Sequence, residues 1–282
     1  MTISIPDTLT IDNSENYIMS IRLRSGGLSF SGYNPLAGES FFYREAEFDR
    51  AVSYISSLKE FFFSHEFFAW TYKRIHVICA LSGYTLVPVD HFQEKRKEQL
   101  LAFNFSQPEG RCLINHLDAR TELLFGMDEE VYEFCSRSLL HPVFIHYMTP
   151  LLSLWKKQGR LSLGRRMYAV LGRKQMDLVC YEQENLLFSN SFQVEQTSDL
   201  LYYILYVWKQ VGLDQQRDRL FLFGETSIRA QLSENLRTYL QHVQSMEIPS
   251  EAYLLGSEVM KAPMDLMALL ITANGSATDY TK

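Results

Sequence analysis

One order of elements, given twice, most constrains what this chain can fold into. In the second half, "RRMYAVLG", "MDLVCYEQ" and "NLLFSNSF" are three short β-rich runs parted by tight turns, over 165–192. A helix follows. Thr197 or Ser198 can cap it, Leu200, Leu201, Ile204, Leu205, Trp208 and Val211 recur at helical spacing, and Gly212 supplies a left-handed stop. "DRLFLFG" (218–224) predicts a buried strand. Next come a helix with Ile228, Leu232, Leu236, Leu240 and Val243 on one face, a strand at "EAYLLG" and a last helix over 262–272. The order is β-β-β-α-β-α-β-α.

The first half opens in the same way. Strands are expected near 17–24, 27–33 and 38–43, then a helix over 46–64 carrying Val52, Ile55, Leu58 and Phe62, then a strand at "RIHVICAL" (74–81). Here the half grows longer: "YTLVPV", a charged helix near 91–103, and a second hairpin at "RCLINHL" and "TELLFG". A helix near 128–137, a strand at "PVFIHY" and a helix ending at Lys157 close it. The pattern predicts a duplicated α/β chain, with a first lobe over 1–160 carrying an inserted hairpin and helix, and a second lobe over 161–282. A chain of 282 residues is long enough to give each lobe its own core.

Bulk properties narrow the function classes. No stretch reaches the roughly 20 apolar residues of a membrane-spanning helix, and "MTISIPDTLTIDNSENY" has neither a basic leader nor an apolar core segment. Cys79, Cys112, Cys135 and Cys180 are widely spaced, with no C-x-x-C pair, as expected of reduced thiols in a cytoplasmic protein. A net charge of −6 argues against a surface given over to nucleic acid.

The duplicated order resembles the ribonuclease-H-like fold of the actin-like ATPase superfamily, with its two lobes arranged as in those ATPases. A local match accompanies it: "DRLFLFGETSIRAQLSENL" (218–236) is similar to the superfamily's adenosine segment of buried strand, paired glycines, small polar residue and helix. The chain also resembles a family of uncharacterised bacterial proteins of this fold. The resemblance implies two phosphate-gripping hairpins of the pattern Asp-x-Gly. There a strand-end carboxylate holds Mg²⁺ or its water, and the glycine lets backbone N–H groups approach phosphate.

Neither hairpin keeps that acid. In "YIMSIRLRSGGLSFSGY" (17–33) the aspartate position falls at Arg22 and the glycine position at Arg24, although Ser25, Gly26 and Gly27 keep a permissive turn. In the second hairpin Tyr168, Ala169 and Val170 stand where the other aspartate belongs, and Asp177 lies past the turn. The adenosine segment keeps Gly224 but has Glu225 in place of its second glycine, followed by Thr226. An arginine can neutralise phosphate but cannot bind Mg²⁺, so binding rather than catalysis is expected, without a cofactor. ATP held by Arg22, Arg24, Gly26, Gly27, Gly224, Glu225 and Thr226 is the alternative. A ribonuclease-H-type nuclease would need a carboxylate in the first strand, and "IMSIRL" offers none.

Metal and nucleophile patterns are equally thin. His141 and His146 are five apart and face opposite sides of a strand. Cys112 and His116 lie roughly 13 Å apart along one. No P-loop, G-x-S-x-G, G-x-G-x-x-G or H-E-x-x-H is present. One charge run stands out: Lys156, Lys157, Arg160, Arg165, Arg166, Arg173 and Lys174, with no acid between 156 and 174. It is a candidate contact for RNA, DNA or another polyanion, against the simpler reading of a solvated linker whose cations offset nearby acids. The expectation is a binding or scaffold protein for a protein partner. The alternatives are a divergent nucleotide-binding ATPase and a polyanion-binding accessory protein.

Overall fold

The computed structural model of the chain describes residues 3–80, 83–105, 108, 110–160, 164–172, 174–224, 226–245 and 250–275. The chain packs as two compact units, Met1–Leu151 with Ile248–Lys282, and Leu152–Glu247. The segment 250–275 follows the second lobe in sequence yet belongs to the first unit. Ion pairs with that unit's strands hold it there: Arg22 to Asp265 at 2.6 Å and Arg44 to Glu258 at 2.8 Å.

The first unit contains β1 (Ile18–Arg24), β2 (Gly27–Tyr33), β3 (Phe42–Glu47), α1 (Tyr54–Phe63) and β4 (Arg74–Ala80). Then come β5 (Tyr84–Pro88), α2 (Lys97–Asn104), β6 (Arg111–Asp118), β7 (Thr121–Met127), α3 (Glu129–Ser138) and β8 (Val143–His146). Its main sheet has the order β3-β2-β1-β4-β8. The meander strands are antiparallel, while β4 runs parallel to both β1 and β8. The inserted strands form a separate sheet, β5-β7-β6.

α4 (Met148–Gly159) leads into β9 (Arg165–Leu171), β10 (Gln175–Glu182), β11 (Asn185–Gln193), α5 (Thr197–Val211), β12 (Arg219–Gly224), α6 (Thr226–Leu236) and β13 (His242–Ser245). The second sheet repeats the first in its order, β11-β10-β9-β12-β13, and in its directions. The expected β-β-β-α-β-α-β-α order is thus present in both halves, and α7 (Met264–Gly275) closes the chain.

Local chemistry sets three of the helix boundaries. Ser53 caps α1 by accepting from the Ser56 amide, so the helix begins at Tyr54 and not at 46. Asp128 caps α3 through the Val131 amide. Gly212 ends α5 at φ 72°, the left-handed stop its position predicts. Two expectations fail at the far end. The helix after β12 stops at Leu236, so Val243 stands on the fifth strand, β13, and not on the helix face. "EAYLL" lies in a 3-10 segment, Ser250–Leu255, and not in a strand. Ala252 is buried, but the adjacent Tyr253 and Leu254 are 55% and 78% exposed, so the run lacks the alternation of a strand with one face in a sheet.

Alternation along β1 gives the first sheet two unlike faces. Met19, Ile21 and Leu23 are fully buried on one. That side carries an aromatic cluster in which the Phe30 ring lies 5.2 Å from Phe67 and 5.3 Å from Phe68. The other face carries Ser20, Arg22 and Arg24, with Ser31 and Ser29 across from Ser20 and Arg22 on β2.

Candidate functional site

The first unit places Arg22, Arg24, Gly26 and Gly27 together on the β1–β2 hairpin. Gly26 takes φ 81° at the turn, a conformation that costs a glycine nothing. Gly27 has a steric reason of its own: a Cβ there would sit 2.1 Å from the Ala46 carbonyl oxygen of β3. Both glycines are therefore accounted for by the sheet itself.

Arg22 does not stand alone. Its Nε donates to Asp265 Oδ2 at 2.6 Å, and Asp265 is 3% exposed in the first turn of α7. Burial works against the Arg22 charge, but the Asp265 carboxylate more than offsets it, so the guanidinium pKa lies above its ordinary value. Arg24 donates from Nη2 to Glu47 at 2.6 Å and to the Ala46 carbonyl. The same face holds Ser20, whose hydroxyl lies 3.5 Å from His76 Nδ1, and His76 is held neutral with its pKa pushed down to about 3, chiefly by burial.

The sequence reading missed Asp265. Its only trace is a lone carboxylate at the head of the apolar run "PMDLMALLI", and a charge there calls for a partner.

The second hairpin is built from rings. Tyr168 on β9 stacks under Trp155 at 4.4 Å and 6°, and beside Phe221 of β12 at 5.2 Å. Burial pushes its pKa up to about 12, with Arg166 pulling the other way. Asp177 on β10 is buried and accepts from the Ser191 hydroxyl and the Gln175 amide.

Gly224 ends β12 at φ 119°, and a Cβ there would sit 2.4 Å from the Leu171 carbonyl oxygen of β9. Strand packing therefore already demands this glycine. Thr226 opens α6. Glu225 lies outside the described residues.

The basic run is divided by the fold. Arg166 is 3% exposed, donating to the Tyr168 hydroxyl and the Gln183 carbonyl. Arg160 pairs with Glu184 at 2.5 Å and Arg165 with Glu182 at 3.0 Å. Lys157 and Lys174 are exposed, Lys156 is half-buried, and Arg173 lies outside the described residues.

The cysteines are buried thiols. Burial pushes Cys112 up to about 11 and Cys135 and Cys180 up to about 12, the reverse of an activated nucleophile. Among the described residues no three His, Cys, Asp or Glu side chains are placed to hold a metal, and no helix is long and apolar enough to cross a membrane.

No curated protein matches the chain. A solved protein from Bacteroides thetaiotaomicron, described as having an actin-like ATPase fold and unknown function, is 31% identical with a TM-score of 0.81. The match covers 95% of this chain and 99% of that one. The PilM-PilN type IV pilus biogenesis complex matches at 13% identity and a TM-score of 0.53, covering 90% of this chain and 98% of its own. That second likeness is one of fold. The chain has the actin-like ATPase fold, and the model of the family described as "Protein of unknown function (DUF3822)" matches residues 6–243. It therefore belongs to the DUF3822 family.

Proposed function

We propose that this protein acts by binding a protein partner, as a scaffold on an actin-like frame, and not by hydrolysing a nucleotide. The observation that carries the reading is the Arg22–Asp265 pair. At the position where a phosphate hairpin would present a metal-binding acid, the chain presents an arginine already neutralised by its own buried carboxylate. Such a group has little charge left for phosphate and cannot ligate Mg²⁺. The alternative sites for ATP and for a polyanion lose support in the same way. Gly27 and Gly224 are required by neighbouring strands, and Arg160, Arg165 and Arg166 are engaged by Glu184, Glu182 and Gln183. The PilM-PilN structure is of a protein complex, a precedent for this fold in assembly. In this reading 1–160 and 161–282 are the two copies of a duplication in sequence, with the segment 250–275 packed on the first unit, and the protein works in the cytoplasm.

Affinity capture from the source organism, under native conditions, tests the proposal. The expected result is one partner recovered in constant ratio to the bait and lost on charge reversal of an exposed surface. Repeated captures that return only the bait would contradict it.

A further inference from the structure

The main sheet of the first unit ends at β3 on one side and at β8 on the other. β3 carries Arg44, Glu45 and Glu47, charges of the kind that keep sheet edges apart. β8 has no such means. Its four residues, "VFIH", include no acid, lysine, arginine or proline, and Phe144, Ile145 and His146 are buried. β6 of the inserted sheet reaches this edge through Asn115, whose side chain is fully buried.

Asn115 uses both ends of its amide. Nδ2 donates to the Phe144 carbonyl at 2.9 Å and to the Ile114 carbonyl at 3.0 Å. Oδ1 accepts from the His146 amide and from the Thr149 hydroxyl of α4, each at 2.8 Å. Turned over, the amide would set its NH₂ group against the His146 N–H, so the orientation is fixed. The Phe144 carbonyl and the His146 N–H leave β8 on the same side, two residues apart. They are the two groups that a single residue of a parallel partner strand would engage, giving its N–H to one and its C=O to the other. The Asn115 side chain offers the same donor and acceptor without a strand. The duplicated half has nothing similar: α6 alone joins β12 to β13, whereas β5, α2, β6, β7 and α3 lie between β4 and β8.

We infer that the inserted sheet is a guard on the β8 edge and that Asn115 is its latch, standing in for one residue of a further parallel strand. The latch closes this edge against strand addition by another chain, so a protein partner docks elsewhere. Thr149 ties the same amide to the first turn of α4, and one side chain thereby holds insert, edge strand and helix together.

Amide hydrogen exchange and sedimentation of the full chain test this. In the wild type the His146 amide should be protected, and exchange there at the rate of an unstructured chain would overturn the inference without any variant. Asn115→Leu keeps the size of the side chain and removes both halves of the bridge. It should speed exchange at His146 by about tenfold and leave Ile145, which strand alternation turns toward β4, nearly unchanged. With the edge released, the mass of the variant should rise with concentration above that of the wild type. Leu232→Ala, a cavity in the fully buried core of the second unit, controls for lost stability and should keep the wild-type mass. Far-ultraviolet circular dichroism and melting curves confirm that each variant folds. Unchanged His146 exchange in Asn115→Leu, faster exchange with no gain in mass, or equal association of Leu232→Ala would each overturn the inference.

Discussion

The first and second sheets have the same strand order and directions, yet the faces that carry Arg22 and Tyr168 are filled in opposite ways. In the first, Arg22 on β1 is met by Asp265 of α7, with Ser20, Ser29, Ser31 and His76 buried around it. In the second, Tyr168 on β9 is roofed by Trp155 of α4 and flanked by Phe221 and Phe223. One is an electrostatic joint and the other a stack of rings. The order of strands is compatible with either, so topology fixes the frame while the helix laid over each sheet fixes the chemistry. Neither filling leaves the carboxylate that the superfamily's ATP-binding hairpins need.

The strongest way to break the comparison is to remove the roof of the second sheet. Trp155 is fully buried, so Trp155→Ala should cost about 3–5 kcal/mol. Urea denaturation reads this directly, and a loss below about 1 kcal/mol would mean that the ring stack contributes little.

Next is the joint of the first sheet. Asp265→Asn leaves the Arg22 charge without its partner and should destabilise by about 2–4 kcal/mol. Because the pair acts as one unit, combining Arg22→Met with Asp265→Leu should cost less than the sum of the two single changes. Additive costs in that cycle would show that the two side chains do not depend on each other.

His76 sharpens the comparison through pH. Its folded pKa, about 3, lies below the ordinary 6.5. Between those values the unfolded chain binds a proton that the folded chain refuses. Stability from this site is therefore complete above pH 6.5 and falls as the pH drops, by about 1.4 kcal/mol per unit. His76→Gln should flatten that slope between pH 6.5 and 5, while a buried residue of the second sheet such as Leu222 replaced by Val should leave it intact. The smallest effect belongs to the exposed Glu133–Arg137 pair on α3. Glu133→Ala should change stability by no more than about 0.5 kcal/mol.

Much of this architecture is legible in the residues alone. β1, β2, the β6–β7 hairpin, α5 and the meander β9 to β11 follow from period-two runs, turn residues and a glycine stop, which are local signals. The frame's edge was not legible. β13 has four residues with only Val243 buried, too little to show a period, and the apolar look of "EAYLLG" masked a 3-10 segment whose Tyr253 and Leu254 face solvent. Of the candidate site, the loss of the acid at Arg22 could be read from "IMSIRLR", but its neutralisation could not. Asp265 lies 243 residues away, and nothing local to β1 points to it. The basic run illustrates the same limit. Seven cations in sequence read as a patch, and only the fold reveals that Arg166 turns inward and that Arg160 and Arg165 meet Glu184 and Glu182.

Arg22 is the structural half of an ion pair with Asp265, not a phosphate ligand. Calorimetric titration of the full chain with ATP, with Mg²⁺ and then with the metal chelated, decides this most directly. The account predicts no saturable heat at millimolar nucleotide in either condition. Saturable ATP binding that disappears in Arg22→Lys, while the protein's melting temperature holds, would contradict it.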